Sequence, residues 1–195
     1  MIAAPPMPVY VLRLTKKLTA QWTGLSMALF LVSMLVVSKL YYLRYHQPWL
    51  TFETVGMSKA LLGLTTLSMA TIVLHEMIHG SAFRYFGARV RYGLGFKLGL
   101  PYVYAAAPGE QFSRNAFFAI ALAPLLILNF VALAGLLLFP QASWLSWMVI
   151  WNTAWASGDL WMTLILSGYP ASVRVEGRKM GIAVYAPPEL EVNLR

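Results

Sequence analysis

The sequence predicts an all-α polytopic membrane protein with about four transmembrane helices, built as a single domain over residues 1–195. Hydrophobic residues make up 59% of the chain and charged residues only 11%, about half the charged fraction of a soluble domain. Four apolar stretches are each long enough to cross a bilayer, which takes roughly 20 helical residues. The basic residues are also unequally divided between the segments that join these stretches. Together these observations exclude a soluble globular protein.

The four apolar stretches are the predicted spans, and they cover approximately residues 22–43, 57–86, 113–139 and 144–167. The second and third exceed the minimum length, so we expect them to tilt or to extend past the membrane surface. Ser113 is the predicted N-cap of the third span. Pro124 lies inside that span and should kink its helix.

The segments outside the spans have strand-like composition. Glycines, aromatic residues and β-branched residues fill residues 90–110, which predicts a small cytoplasmic β-hairpin between the second and third helices. Pro101 and Pro108 make a helix there less favourable. Residues 7–14 form a short β-like run, and residues 171–187 predict a β-like tail of two short strands around a turn.

The net charge of +8 records membrane topology in this interpretation, and nucleic acid is not an expected partner. Twelve basic residues fall on one side of the predicted spans: Arg13, Lys16, Lys17, Arg84, Arg89, Arg91, Lys97, Arg114, Arg174, Arg178, Lys179 and Arg195. Only Lys39, Arg44 and Lys59 fall on the other side. The positive-inside rule therefore places both termini in the cytoplasm. Binding to anionic lipid is the lesser alternative.

The stretch His75-Glu76-Met77-Ile78-His79-Gly80 carries the chemistry of the chain. Two of the three histidines lie there, inside the second span and one helical turn apart, so both side chains project from one face. The chain has no cysteine, and nitrogen and oxygen atoms must hold any metal ion. The pattern predicts a zinc site at His75 and His79. Buried histidines that hydrogen-bond between helices are the alternative.

Asp159 is the predicted third ligand. It is the only aspartate of the chain, and Asp159 and Glu76 are the only carboxylates inside apolar spans. Asp159 and His79 lie at similar depths, about 12–14 Å from the cytoplasmic ends of two parallel helices at ~1.5 Å per residue. Three protein ligands with a fourth position open to water are typical of catalytic zinc. Asp159 could instead cap backbone groups near Ser157 or pair with an arginine of the hairpin.

Glu76 is the predicted catalytic acid–base group. Zinc lowers the pKa of a bound water toward ~7, and a nearby carboxylate can remove its proton as the water attacks a carbonyl. Two asparagines add candidate polar contacts: Asn152 lies seven residues before Asp159, and Asn129 lies in the third span. Either could bind the substrate backbone or the developing oxyanion. Both could instead hydrogen-bond between helices, and this packing role is favoured for Asn129 in particular.

The sequence resembles the zincin peptidases of bacterial membranes. The resemblance rests on HEMIHG, the β-like segment after it, APGEQFSRNAFFAIALAPLLILN and NTAWASGDLW, about residues 74–161. These peptidases are similar to site-2 proteases, the intramembrane zinc metalloproteases. The resemblance implies metal ligands at His75, His79 and Asp159, a catalytic role for Glu76, and transmembrane substrates presented as a strand beside the hairpin. The sequence departs from the site-2 pattern at Gly158-Asp159, where the order of glycine and aspartate is reversed.

The leading hypothesis is a zinc-dependent intramembrane endopeptidase in which Glu76 activates a zinc-bound water. Its expected partners are transmembrane protein or peptide substrates and the lipid bilayer, and its expected location is a bacterial cell membrane. The alternative is a non-catalytic metal-binding membrane protein, such as a carrier, a sensor or a scaffold. Glu76 discriminates between them, because a carrier needs no proton-transfer base.

Overall fold

A computed structural model gives the fold and describes residues 7–13, 15–49, 56–97, 100–178 and 181–187. Helices dominate it, and the strands are short. In chain order the elements are β1 (Tyr10–Val11), α1 (Lys16–Tyr45), α2 (Met57–Tyr85), β2 (Arg91–Lys97), β3 (Leu100–Ala106), β4 (Gln111–Ser113), α3 (Arg114–Leu138), a 3₁₀ turn (Pro140–Ala142), α4 (Leu145–Trp155), α5 (Ser157–Ser167), β5 (Arg174–Arg178) and β6 (Gly181–Tyr185).

Within the described residues, three helices are long and apolar enough to cross a membrane, namely α1, α2 and α3. Their outward faces expose large apolar side chains, such as Leu35, Leu62 and Phe130. Exposed leucines and phenylalanines along whole helices suit lipid, because a soluble protein would cover so large an apolar surface. These helices are consistent with a membrane protein, and the first three predicted spans are confirmed as helices.

The fourth predicted span is not one continuous helix. Two helices of 11 residues each, α4 and α5, meet at Ala156. The Ala156 N–H still donates to the Asn152 carbonyl at 3.0 Å, and the Ala156 carbonyl accepts from the Leu160 N–H at 2.9 Å. The break is thus local, and Gly158, a residue of low helix propensity, lies two residues after Ala156. It makes Asp159 a residue of the first turn of α5.

The expectation of an all-α fold is incomplete, because the structure contains two small antiparallel sheets. The predicted hairpin is confirmed as β2 and β3, which pair from Arg91↔Ala106 to Lys97↔Leu100. The predicted strands of the tail are β5 and β6, and they join β1 and β4 in a four-stranded sheet of order β1-β6-β5-β4. Isolated two-stranded hairpins are marginal in stability, so pairing with both neighbours stabilises the tail.

The four-stranded sheet packs on the ends of the helices that carry the candidate site. Val175, Ile182 and Val184 are fully buried and belong to the same hydrophobic cluster as Phe83 of α2 and Phe117 of α3. Ser113 caps α3 as predicted, and its side chain accepts a hydrogen bond from the Ala116 N–H at 3.2 Å. The sheet therefore fixes the start of α3 and the last turns of α2 relative to each other.

Candidate metal centre

The HEMIHG segment lies in the last third of α2, on the face that turns toward the other helices. His75, Glu76 and His79 are 2%, 9% and 8% exposed, whereas Met77 between them is 53% exposed. The two histidines thus share the buried side of the helix, as their spacing predicted.

Asp159 reaches both histidines from α5. Its Oδ2 atom lies 3.1 Å from His75 Nε2, and its Oδ1 atom lies 3.4 Å from His79 Nε2. One ligand atom from each of the three residues can be chosen so that all lie within 4.8 Å of one another. The structure brings the three predicted ligands together in a group that could hold a metal ion.

An oxygen atom fixes the far side of each histidine ring. His75 Nδ1 lies 2.8 Å from Asn152 Oδ1, and His79 Nδ1 lies 3.0 Å from the Ile120 carbonyl. Oxygen atoms of this kind accept hydrogen bonds and cannot donate, so each Nδ1 carries the proton. In a neutral ring the lone pair is then on Nε2, which is the atom that faces Asp159.

The orientation of the Asn152 amide follows from its own neighbours. Its Nδ2 group donates to the Pro124 carbonyl at 3.2 Å and to Asn129 Oδ1 at 2.9 Å. A backbone carbonyl accepts only, so the nitrogen must point there and the oxygen must point at His75. Asn129 Nδ2 donates in turn to Thr153 Oγ1 at 2.8 Å. These contacts link α3 to α4; the predicted contacts of both asparagines with substrate stay predictions.

Pro124 has a function in this geometry that the sequence analysis missed. Proline has no backbone N–H, so the Ile120 carbonyl, four residues earlier, loses its partner within α3. His79 Nδ1 supplies the missing donor. The sequence predicted only a kink at this proline. Counting back four residues from it would have identified the free carbonyl, although not the histidine that binds it.

The donor set fits a zinc ion. Two Nε2 lone pairs and a carboxylate converge, and three acceptors at such close range repel one another unless a cation lies between them. A proton on one ring would relieve one contact, whereas a metal ion relieves them all. Tetrahedral zinc with bonds of ~2.0–2.1 Å separates its ligand atoms by about 3.3–3.4 Å. The distance from His75 Nε2 to Asp159 Oδ2 is 3.1 Å and that from His79 Nε2 to Asp159 Oδ1 is 3.4 Å, so each histidine lies near this spacing from a different carboxylate oxygen.

Glu76 faces the same cavity but has a different partner. Its Oε2 atom accepts a hydrogen bond of 2.7 Å from the Ala105 N–H in β3. The cavity has a volume of about 380 Å³, and it is lined by His75, His79, Asp159, Glu76, Trp22 of α1 and residues 102–105 of β3, among others. Ala105 pairs with Tyr92 across the hairpin, yet its N–H points away from β2. The edge of β3 that faces away from β2 therefore forms one wall of the cavity.

Comparison with known families accounts for most of this region. A family model described as "Putative zincin peptidase" matches residues 68–174, more than half of the chain. The chain belongs to this family. No curated protein and no solved structure matches it. The matched residues contain HEMIHG, the hairpin and Asp159, and membership of a zincin family agrees with the metal and the metallopeptidase class that the sequence predicted.

Proposed function

We propose that the protein is a zinc-dependent intramembrane endopeptidase that hydrolyses peptide bonds of membrane-embedded substrates. The observation that carries this proposal is the position of Glu76. Its carboxylate lines the same cavity as the His75, His79 and Asp159 group, yet it is bound to a strand edge and not to those three residues. A carrier or a sensor needs the three ligands alone, whereas a hydrolase also needs a proton-transfer group beside them.

The chain's own residues have distinct parts in the proposed reaction. His75 and His79 would hold zinc through Nε2, and Asp159 would hold it through its carboxylate. A zinc ion held there would supply Lewis-acid chemistry, polarising the scissile carbonyl and acidifying a water molecule. Glu76 accepts a proton from the attacking water at Oε1, because the Ala105 N–H occupies Oε2. As the C–O bond forms and the C–N bond breaks, Glu76 returns that proton to the leaving amine.

The substrate is a transmembrane segment in this proposal. Helices α1, α2 and α3 are apolar enough for a bilayer, and the cavity opens among residues of α1, α2, β3 and α5. A substrate strand could pair with the edge of β3 that faces away from β2, since backbone hydrogen bonds at a sheet edge are a common way to bind an extended peptide. The asymmetry of the basic residues supports cleavage near the cytoplasmic side of the membrane.

The decisive experiment separates metal binding from hydrolysis. The purified protein and the variants Glu76→Gln, His75→Ala and Asp159→Ala are assayed for zinc content and for cleavage of a membrane-embedded peptide. We expect Glu76→Gln to retain zinc and to lose at least about 10²-fold in kcat, the usual contribution of a general acid–base group. The other two variants should lose zinc. Undiminished cleavage by Glu76→Gln would contradict the mechanism, and full zinc affinity in Asp159→Ala would remove that residue from the ligand set.

A further inference from the structure

Gly80, the last residue of HEMIHG, lies against the hairpin. It follows Glu76 by four residues, so both lie on one face of α2, one turn apart. The phenol ring of Tyr92, in β2, covers Gly80 so closely that a Cβ atom at this position would overlap the Oη and Cζ atoms of the ring. The guanidinium of Arg84, one turn further along α2, lies 5.5 Å from the centre of the same ring. The phenol ring of Tyr92 can therefore occupy this position on the helix only while residue 80 has no side chain.

The same step of the hairpin also holds Glu76. Tyr92 pairs directly with Ala105 across the two strands, and the Ala105 N–H donates to Glu76 Oε2 at 2.7 Å. One cross-strand pair therefore contacts one turn of α2 at two points, through a side chain on Gly80 and through a backbone N–H on Glu76. Moving either point should move the other, because the two strands are hydrogen-bonded at the neighbouring pairs.

The outer part of the hairpin contributes little to its packing on α2. Leu94 is 83% exposed and Phe96 is 73% exposed. The hairpin has only two strands, and such a unit is marginally stable unless it packs on something else. The contact between Tyr92 and Gly80 is therefore one of the contacts that hold the hairpin on α2.

We propose that Gly80 and Tyr92 are positioning residues for Glu76, an inference that rests on the proposed function. The contact between the Tyr92 ring and Gly80 sets the separation between β3 and α2. That separation lets the Ala105 N–H hold Oε2, which fixes the carboxylate and leaves Oε1 directed at the reacting water. A side chain at position 80 displaces the ring, and with it the strand that orients the carboxylate.

The test compares Gly80→Ala with Gly63→Ala. Both glycines lie in α2, but a Cβ atom at position 63 meets nothing within 4 Å. Alanine favours a helix interior by about 1 kcal/mol over glycine at both positions, so lost helix stability does not explain a defect. We expect Gly80→Ala to lower kcat by about 100-fold, the cost of a ~1 Å misplacement of a reacting group, with zinc content and KM nearly unchanged. Gly63→Ala should behave like the parent protein.

A second readout does not depend on activity. Amide hydrogen exchange at Ala105 is measured on the metal-free protein in lipid nanodiscs. The hydrogen bond to Glu76 should slow this exchange in the parent, and Gly80→Ala should accelerate it. Glu76→Gln retains an acceptor oxygen and should keep most of the protection. Tyr92→Val, which removes the ring and adds no bulk beside Gly80, should also accelerate the exchange.

The double variant Gly80→Ala/Tyr92→Val completes the cycle. A methyl group at position 80 occupies part of the space that the ring vacates, so the two effects should be less than additive. Independent, fully additive effects on kcat and exchange would overturn the positioning role. If Glu76→Gln is inactive while Gly80→Ala leaves both kcat and the exchange at Ala105 unchanged, the positioning role alone fails. If Glu76→Gln cleaves normally, the proposed function fails whatever Gly80→Ala does.

Discussion

The cavity has two different walls: the helix bundle orients the two histidines of HEMIHG, and the hairpin orients its glutamate. On the bundle side, the Nδ1 atom of His75 is hydrogen-bonded to Asn152 and that of His79 to the Ile120 carbonyl. Asn152 is 0% exposed and Ile120 is 1% exposed. On the hairpin side, Glu76 is held by one backbone N–H of a two-stranded sheet. Packed helices thus orient the two histidine rings, and the two-stranded hairpin orients the Glu76 carboxylate.

The difference separates metal binding from proton transfer. Buried, hydrogen-bonded groups that orient ligand rings tune metal affinity, because they fix the tautomer and the direction of each lone pair. A strand pair at the cavity edge can shift without disturbing those rings. Changes in the bundle wall should therefore alter metal affinity first, and changes in the hairpin wall should alter kcat first.

The largest effect is expected for Asn152→Ala, which removes the acceptor of His75 Nδ1–H. Loss of such a partner usually lowers metal affinity by about 10- to 100-fold. Zinc affinity, measured by competition with a chelator, should fall by that amount, while the exchange of the Ala105 amide stays as in the parent. The matched control is Asn129→Ala, which lies one hydrogen bond further from His75 and should have a smaller effect.

The same pair of variants tests the earlier expectation that these asparagines contact substrate. An unchanged zinc affinity with a lowered kcat in Asn152→Ala would contradict the orienting role. It would favour an oxyanion contact instead, since groups of that kind act on the transition state and not on the metal.

A smaller effect is expected for Pro124→Ala. The new backbone N–H at position 124 can bond to the Ile120 carbonyl, which currently accepts from His79. A carbonyl has two lone pairs, so the competition is partial and zinc affinity should fall by only about 3- to 10-fold. Thermal stability should rise, because proline disrupts a helix interior. Affinity and stability moving in opposite directions would distinguish this variant from a general folding defect; an unchanged affinity would contradict the role of the freed carbonyl.

The bundle wall was more accessible to sequence analysis than the hairpin wall. The spacing of His75 and His79 and the depth of Asp159 both follow from helical geometry, which is regular enough to count along. The break at Ala156 was not expected, because no proline marks it in the sequence. Helical hydrogen bonds continue on both sides of it. The contacts of Ala105 and Tyr92 depend on the register and the docking of a short hairpin, and neither has a periodic signal in the sequence.

The hairpin wall has a firm end where the chain leaves β3. Ala106 and Ala107 are buried, and the Gly109 N–H donates to Glu176 Oε1 in β5 at 3.1 Å. The other carboxylate oxygen of Glu176 accepts from Tyr185 Oη–H at 2.6 Å. Burial alone would raise the pKa of the Glu176 carboxyl, but these hydrogen bonds and the neighbouring Arg178 guanidinium outweigh it and hold the pKa below its ordinary value. The four-stranded sheet thereby anchors the hairpin.

The smallest effect is expected for Tyr185→Phe, which removes one donor from that anchor. A hydrogen bond to a charged group contributes roughly 1.5–3 kcal/mol when buried, and partial exposure should reduce this to about 1 kcal/mol. The loss should appear as a lower Tm and as faster amide exchange at Gly109, while zinc affinity stays unchanged. Tyr85→Phe is the control, because Tyr85 is 85% exposed.

The effect of Tyr185→Phe should depend on pH. The pKa of Glu176 is lowered in the folded protein, so the stability that its carboxylate contributes is complete above the ordinary glutamate pKa and is lost as the pH falls through the lowered value. Acidification should therefore reduce the difference between Tyr185→Phe and the parent, and a difference that grows with acid would show that the anchor does not depend on the charged carboxylate.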